Sequence, residues 1–215
     1  MKKILISILL LLSQLSFSQK NSLWLGLSFT KAEQESLTFN QPSFKKINTF
    51  GNGFTLLLEH NIKKSETSFF KIGGELSSVR QGFYLNGFSN YLYNTSFKLP
   101  ALYCFKLKLS KRTLIVFDLG TKLQFLFDTQ TTSFVWNNST QLIIKTKSGL
   151  FPLINFNFGT EVSLKQKRVI GITIGVNKGF VNYEKIIYKS FSSLSTAESY
   201  FNGTFYELKL RWKII

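Results

Sequence analysis

Apolar and polar residues alternate along most of this chain, and that period of two constrains its fold more than any other feature. Successive side chains of a β-strand point to opposite faces, so alternation of this kind predicts strands with one apolar and one polar face. Eight stretches show the pattern: residues 22–31, 51–60, 68–79, 95–109, 113–127, 152–165, 168–178 and 203–215. The sequence therefore predicts an all-β protein.

The lengths of the stretches and of their connections predict how the strands are arranged. Most stretches have about ten residues or more, the length that a tilted strand needs to cross a bilayer. The connections at 61–67, 110–112 and 166–167 are short, whereas four others are long and polar: 32–50, 80–94, 128–151 and 179–202. Short turns alternating with long loops are typical of outer-membrane barrels. We therefore predict an eight-stranded antiparallel up-and-down transmembrane β-barrel.

The first residues have the composition of an export signal. Lys2 and Lys3 precede an almost unbroken apolar run at 4–12, and small residues follow at Ser16 and Ser18. The run is too short for a transmembrane helix, which needs roughly 20 residues, but it fits a secretory signal peptide. We predict a signal peptide at 1–18, a barrel domain at 19–215 and a final location in the outer membrane. A buried N-terminal strand is the alternative.

A formal charge of +16 indicates the kind of partner that the chain meets. Basic residues are spread along the sequence, without a run of five or more. An exported chain rarely meets nucleic acid, so the positive charge favours the anionic head groups of outer-membrane lipid as counter-ions. We predict lipid as a partner and no nucleic acid.

Charged residues in the strands lie on the polar faces. Lys or Arg facing lipid near the bilayer midplane costs about 2–4 kcal/mol, whereas a charge inside a barrel can be paired and hydrated. Eight strands leave a lumen just wide enough to be filled by side chains. We therefore predict a polar plug, in which the lumen holds a charge network of Glu59, Lys71, Glu75, Lys98, Lys106, Asp118, Lys122, Glu161, Glu207, Lys209 and Arg211.

A soluble barrel is the main structural alternative. Lipocalin-like barrels have apolar residues inside and polar residues outside, and charge alternation alone is compatible with either arrangement. The loop lengths and the basic excess favour the membrane. A soluble secreted ligand-binding barrel is kept as an alternative.

Few residues suit catalysis or metal binding, because the chain has one His and one Cys. We predict no catalytic, cofactor-binding or metal-binding residues. His60 lies on an apolar face beside a short turn, whereas an enzyme acting on outer-leaflet lipid would need it at the opposite rim. A lipid-modifying enzyme and a narrow pore are therefore the weaker functional alternatives. Cys104 is expected to be buried in the lumen, and Pro100 to cause a bulge or local irregularity in its strand.

The long loops are candidates for partner binding, because rigid scaffolds commonly present binding residues on loops. Phe134 and Trp136 lie in one long loop, and Tyr183 and Tyr188 in another. These aromatic residues are either exposed contacts for a partner or parts of hairpins that extend the barrel above the membrane. Alternating β-branched residues favour the hairpins.

Four strands resemble those of a known family. Residues 97–105 (FKLPALYCF) resemble the E-I-P-L-L-L-K-Y strand of the PorT-like outer-membrane β-barrel domain proteins, and residues 118–123 (DLGTKL) resemble the G-L-G-P-Y-L strand that follows. Residues 156–162 (FNFGTEV) are similar to the next strand, and residues 206–212 (YELKLRW) to the closing strand.

This resemblance implies an eight-stranded barrel in the outer membrane of Gram-negative bacteria. Some members of the family are linked to secretion or gliding machinery, which implies a partner in an envelope or secretion complex. The matching residues themselves carry no secretion role. We therefore expect a non-enzymatic protein with a structural or scaffolding role in the cell envelope.

Overall fold

A computed structural model describes residues 21–32, 44–62, 66–85, 88–127, 130–136, 140–164, 168–191 and 195–214. The predicted signal peptide at 1–18 lies outside these residues. Within these residues there is no helix that is long and apolar enough to cross a membrane.

Eight of the described strands close into an antiparallel barrel, as the sequence predicts. They are β1 (Asn21–Ala32), β2 (Phe44–Asn61), β3 (Ser68–Leu85), β4 (Phe88–Lys108), β5 (Thr113–Leu126), β8 (Gly149–Ser163), β9 (Val169–Gly179) and β12 (Phe205–Lys213). Their order around the barrel is β1-β12-β9-β8-β5-β4-β3-β2, and β1 pairs with β2 to close the ring. The first strand begins and the last strand ends on the side of the short turns, which we call the turn side.

The opposite, loop side carries a second sheet. Its strands are β6 (Gln130–Trp136), β7 (Thr140–Thr146), β10 (Glu184–Ser190) and β11 (Ser195–Phe201), in the order β11-β10-β7-β6. The segments at 128–151 and 179–202 thus contribute two hairpins, which join through β7 and β10. Ile144 and Ile186 are opposite each other in that pairing, and both are buried. We call this four-stranded unit the loop-side sheet.

The barrel is apolar outside and polar inside. Along β8, Phe156 and Phe158 are 46% and 40% exposed, whereas Asn155 and Asn157 between and beside them are 0% and 2% exposed. The other barrel strands follow the same rule, with a large set of exposed Leu, Ile and Phe side chains on the outer wall. A soluble barrel with an apolar interior does not fit this arrangement.

The apolar outer wall has the height of a bilayer core. On β1 the outward-facing apolar residues lie between Asn21 and Lys31, and on β9 they lie between Arg168 and Lys178. Ten residues of strand extend over about 33 Å, which a tilt of about 40° reduces to about 25 Å along the barrel axis, the height of the apolar band of outer-membrane barrels.

Pro100 causes the local irregularity that the sequence predicts, in the form of a gap rather than a bulge. The β3–β4 register is the same on both sides of Pro100, and the ladder leaves out Pro100 and Leu99 with the residues opposite them, Gly73 and Gly74. Proline lacks the N–H that a ladder needs, so a gap in pairing is enough to accommodate it. The shift in register lies instead between β2 and β3, from Ile47 to Phe50.

Barrel closure can be tested with a cysteine pair. Leu27 on β1 and Leu210 on β12 are directly opposite each other, and such positions bring Cα atoms within about 4.5–5.5 Å, a distance that a disulfide spans. We expect Leu27→Cys/Leu210→Cys to oxidise readily, so that peptides from both chain ends stay linked after denaturation and digestion. The control pair Leu27→Cys/Leu119→Cys lies on opposite walls and should remain reduced. Equal linkage in both pairs would contradict the strand order.

Candidate functional site

The lumen brings together all eleven residues of the predicted charge network. Each is buried, and none is more than 5% exposed. They form two groups stacked along the barrel axis. The loop-side cluster consists of Glu75, Lys98, Lys122, Glu207 and Lys209, and the turn-side cluster of Glu59, Lys71, Lys106, Asp118, Glu161 and Arg211.

Glu75 is the centre of the loop-side cluster. Its carboxylate accepts hydrogen bonds from Lys98 (3.1 Å), Lys122 (3.3 Å) and Lys209 (3.1 Å). Glu207 completes the cluster, with oxygen atoms 2.8 Å from Lys122 Nζ and 2.9 Å from Lys209 Nζ. Three ammonium groups therefore surround two carboxylates, and the strands that carry them lie on several sides of the barrel.

The turn-side cluster balances three carboxylates with three cations. Asp118 accepts hydrogen bonds from Lys71 (2.8 Å) and Arg211 (3.3 Å). Lys106 connects the other two carboxylates, because its Nζ atom lies 2.8 Å from Glu59 and 2.7 Å from Glu161. The chain of contacts thus runs from β2 through β4 to β8.

Aromatic rings border the network at both ends. Towards the loop side, Lys98 Nζ lies 4.2 Å from the ring centre of Phe205. Towards the turn side, Lys106 Nζ lies 4.6 Å from the ring centre of Phe69 and 5.2 Å from that of Trp24. The face of an aromatic ring attracts a cation, so these rings stabilise the outermost ammonium groups, where water cannot hydrate them.

An apolar cluster closes the lumen on the loop side. It consists of Leu126, Phe151, Leu153, Tyr183, Phe201 and Phe205, and we call it the mouth cluster. The ring centre of Tyr183 lies 5.1 Å from that of Phe151 and 5.3 Å from that of Phe201. Sequence reasoning missed this cluster, although runs such as Phe125-Leu126 carry apolar residues on both faces of a strand end.

Two of the predicted loop contacts are wrong. Tyr183 is 4% exposed and Tyr188 is 3% exposed, so neither can meet a partner. Tyr183 packs in the mouth cluster, and Tyr188 lies opposite Leu142 on the buried face of the loop-side sheet. Phe134 and Trp136 belong to β6, but their side chains lie outside the described part of the structure.

His60 and Cys104 lie in different parts of the barrel. His60 is exposed on the turn side, where its Nδ1 atom donates to Asn21 Oδ1 at 2.6 Å. Cys104 is a free, buried cysteine in the lumen, as its place on the polar face suggests.

Comparison with known proteins yields distant structural matches. No protein-family model and no curated protein match the sequence. The outer-membrane protease OmpT of Escherichia coli is 8% identical, with a TM-score of 0.32 over 90% of this chain and 93% of that chain. The β domain of the Bordetella autotransporter BrkA is 6% identical, with a TM-score of 0.32 over 92% of this chain and 100% of that chain. A mutant of the monoaromatic hydrocarbon channel TodX is 12% identical, with a TM-score of 0.26 over 87% and 68%.

Removing the charge of Glu75 should destabilise the barrel strongly. In Glu75→Gln three buried ammonium groups lose their shared carboxylate, and breaking a buried ion pair in this way typically costs about 3–5 kcal/mol. We expect the free energy of unfolding, measured by urea titration in detergent micelles, to fall by that order. Glu198→Gln is the control, because it breaks the half-exposed pair with Lys185, and should change stability little. Equal effects in the two variants would contradict a stabilising lumen network.

Tyr183 should make stability depend on alkaline pH. Burial, and then the neighbouring Glu184, raise the pKa of Tyr183 well above its usual value. Its hydroxyl therefore stays protonated in the folded barrel, whereas the unfolded chain releases this proton above about pH 10. Stability should fall as the pH rises beyond that value.

We expect Tyr183→Phe to reduce this alkaline loss, measured as the difference in unfolding free energy between about pH 9 and about pH 11. Tyr206→Phe on the exposed outer wall is the matched control and should keep the wild-type pH dependence. If Tyr183→Phe kept the wild-type pH dependence, the Tyr183 hydroxyl of the wild-type barrel would have to be in contact with water, which would contradict its burial.

Proposed function

We propose that the protein is an integral outer-membrane β-barrel with a structural or scaffolding role in the cell envelope and no enzymatic activity. The observation that carries this proposal is the combination of an apolar outer wall with a filled lumen. Such a wall is covered by hydrocarbon in a bilayer. A barrel with a filled lumen can bind a partner only at its two ends or on its outer wall.

The filled lumen disfavours a pore. A conducting barrel needs a continuous hydrated path, whereas here the loop-side cluster is followed by the apolar mouth cluster. An ion passing Phe151 and Phe201 would have to lose its water without finding a polar substitute. These two layers support a closed barrel rather than a narrow channel.

The surroundings of His60 disfavour a lipid-modifying enzyme. A nucleophile and its base must lie within hydrogen-bond reach of each other. His60 instead donates to the amide oxygen of Asn21 on the turn side, and an amide is not a nucleophile. This contact supports a structural role for His60 at the end of β1 and β2.

The loop-side sheet is the surface best suited to a partner. Its outward face carries polar contacts, including an ion pair between Lys185 and Glu198 with a separation of 2.7 Å and a hydrogen bond from Tyr200 to Glu198. Pairing of β7 with β10 ties its two hairpins together, so it presents a rigid platform. Its partner under this proposal is another protein of the envelope.

The finer assignment follows the strand resemblance. We propose that the chain is a PorT-like barrel of a Gram-negative envelope, exported through its N-terminal signal peptide and associated with a secretion complex. Strands β4, β5, β8 and β12 contain the segments that carry this resemblance. Cross-linking in intact cells from a cysteine at the exposed Val135 should capture an envelope protein if this role applies.

Membrane insertion can be tested by electrophoresis of washed outer membranes. A folded membrane barrel resists detergent at room temperature, so unboiled protein should migrate differently from boiled protein. The control is Leu208→Lys, which places a charge on the exposed outer wall at a cost of about 2–4 kcal/mol, and which should reduce the folded fraction. Recovery of the protein in the soluble periplasmic fraction, without a shift on boiling, would overturn the proposal.

A further inference from the structure

The outer wall contains an apolar groove of about 710 Å³ that the proposed scaffolding role does not use. It extends across six neighbouring strands: β2, β1, β12, β9, β8 and β5. Its floor is a row of residues that are opposite one another from strand to strand: Phe29, Leu208, Ile174, Phe158 and Phe117. Such a row offers aliphatic and aromatic contacts over a length that suits extended hydrocarbon.

Three polar residues lie at the loop-side rim of this groove. Lys31 follows Phe29 on the outer face of β1, and Lys178 follows Val176 on that of β9. Tyr206 lies between them on β12, opposite both Lys31 and Val176. Two strand spacings and a two-residue offset separate the lysine backbones by about 12 Å, so both ammonium groups can reach one ligand between them.

Among the described residues, no carboxylate pairs with the lysines of this rim. Lys31 and Lys178 are exposed, and neither forms an ion pair within the described part of the chain. The lumen network, by contrast, matches its six cations with five carboxylates. Most of the net charge of +16 therefore lies outside the lumen. The two lysines of this rim lie at the level of the lipid head groups.

We propose that the groove and its rim form a binding site for a phosphorylated lipid of the loop-side leaflet. The acyl chains lie along the row from Phe29 to Phe158, and the phosphate lies between Lys31 and Lys178, where the Tyr206 hydroxyl can donate to it. Lysine and tyrosine at this height are typical anchors of a membrane interface. This inference rests on the proposed membrane insertion and adds a specific lipid to it.

Charge favours a lipid over a second copy of the chain. A symmetric dimer through this wall would bring the same patch of each copy together, and the two lysine rims would lie close to each other at the level of the head groups. Like charges so placed repel each other. A phosphate group instead neutralises the rim.

The site can be tested by the lipids that the full-length mature barrel retains in nanodiscs. The discs contain phosphatidylcholine with a small fraction of phosphatidylglycerol as the phosphorylated anionic probe, and native mass spectrometry counts the lipids that stay bound. The wild type should retain phosphatidylglycerol preferentially. Lys31→Gln/Lys178→Gln should lower this preference about thirtyfold, the ratio that corresponds to about 1 kcal/mol for each of two lysines near an anionic lipid surface.

Two controls separate the site from general charge effects. Lys145→Gln/Lys189→Gln removes the same charge from the loop-side sheet and should leave the preference at the wild-type level. Ile174→Trp fills the groove without changing charge and should reduce the retention of both lipids.

The outcomes also distinguish this inference from the proposed function. A barrel that enters the discs and loses its preference equally in both lysine pairs would overturn the lipid site alone. A chain that fails to enter the discs would overturn the membrane location, and the site with it.

Discussion

Ion pairs that cross the lumen hold together strands that backbone pairing leaves apart. Glu75 on β3 contacts Lys209 on β12, 134 residues later in the chain, and these strands are not neighbours in the barrel. Charges without water are tolerated only when each has a partner. The network therefore fixes the cross-section of the barrel as well as its interior, since a change in strand position would separate a buried cation from its carboxylate.

The outer wall follows from the same alternation. Inward and outward positions alternate along each strand, so the residues that flank the inward Lys and Glu face outward. Most of these outward residues are apolar and form the Leu, Ile and Phe surface that hydrocarbon covers. The strands reach water where this alternation ends, at residues such as Lys31 and Lys178. The charged lumen, the apolar outer wall and the lysine rim of the groove therefore all follow from one repeated pattern. The mouth cluster does not follow from this pattern.

The sequence predicts the barrel well because a period of two is a local signal. It predicts all eight strands and assigns the eleven charged residues to a single face, but β3 and β4 continue into the predicted loop at 80–94. The loop-side sheet was harder to predict, since it depends on β7 pairing with β10 about forty residues away. The mouth cluster was missed for a related reason: Leu126 and Phe151 interrupt the alternation at strand ends, where only the folded loop around Tyr183 explains why an inward apolar residue is favourable. At Pro100 the local rule predicts a bulge or another irregularity, and only the structure shows that it is a gap in the ladder.

The central claim is that one face of each strand meets lipid, and spin labels on β1 test it most directly. Single cysteines at Asn21, Leu25, Leu27, Phe29 and Lys31 would each carry a nitroxide in the reconstituted barrel, and collisions with oxygen and with a water-soluble nickel chelate would be measured. We predict that oxygen dominates at Leu25 and Leu27 and that the nickel chelate gains at Asn21 and Lys31. Collisions with the nickel chelate at all five positions would contradict a lipid-facing wall and indicate a face exposed to solvent. Labels that neither reagent reaches would also contradict it and indicate an internal face.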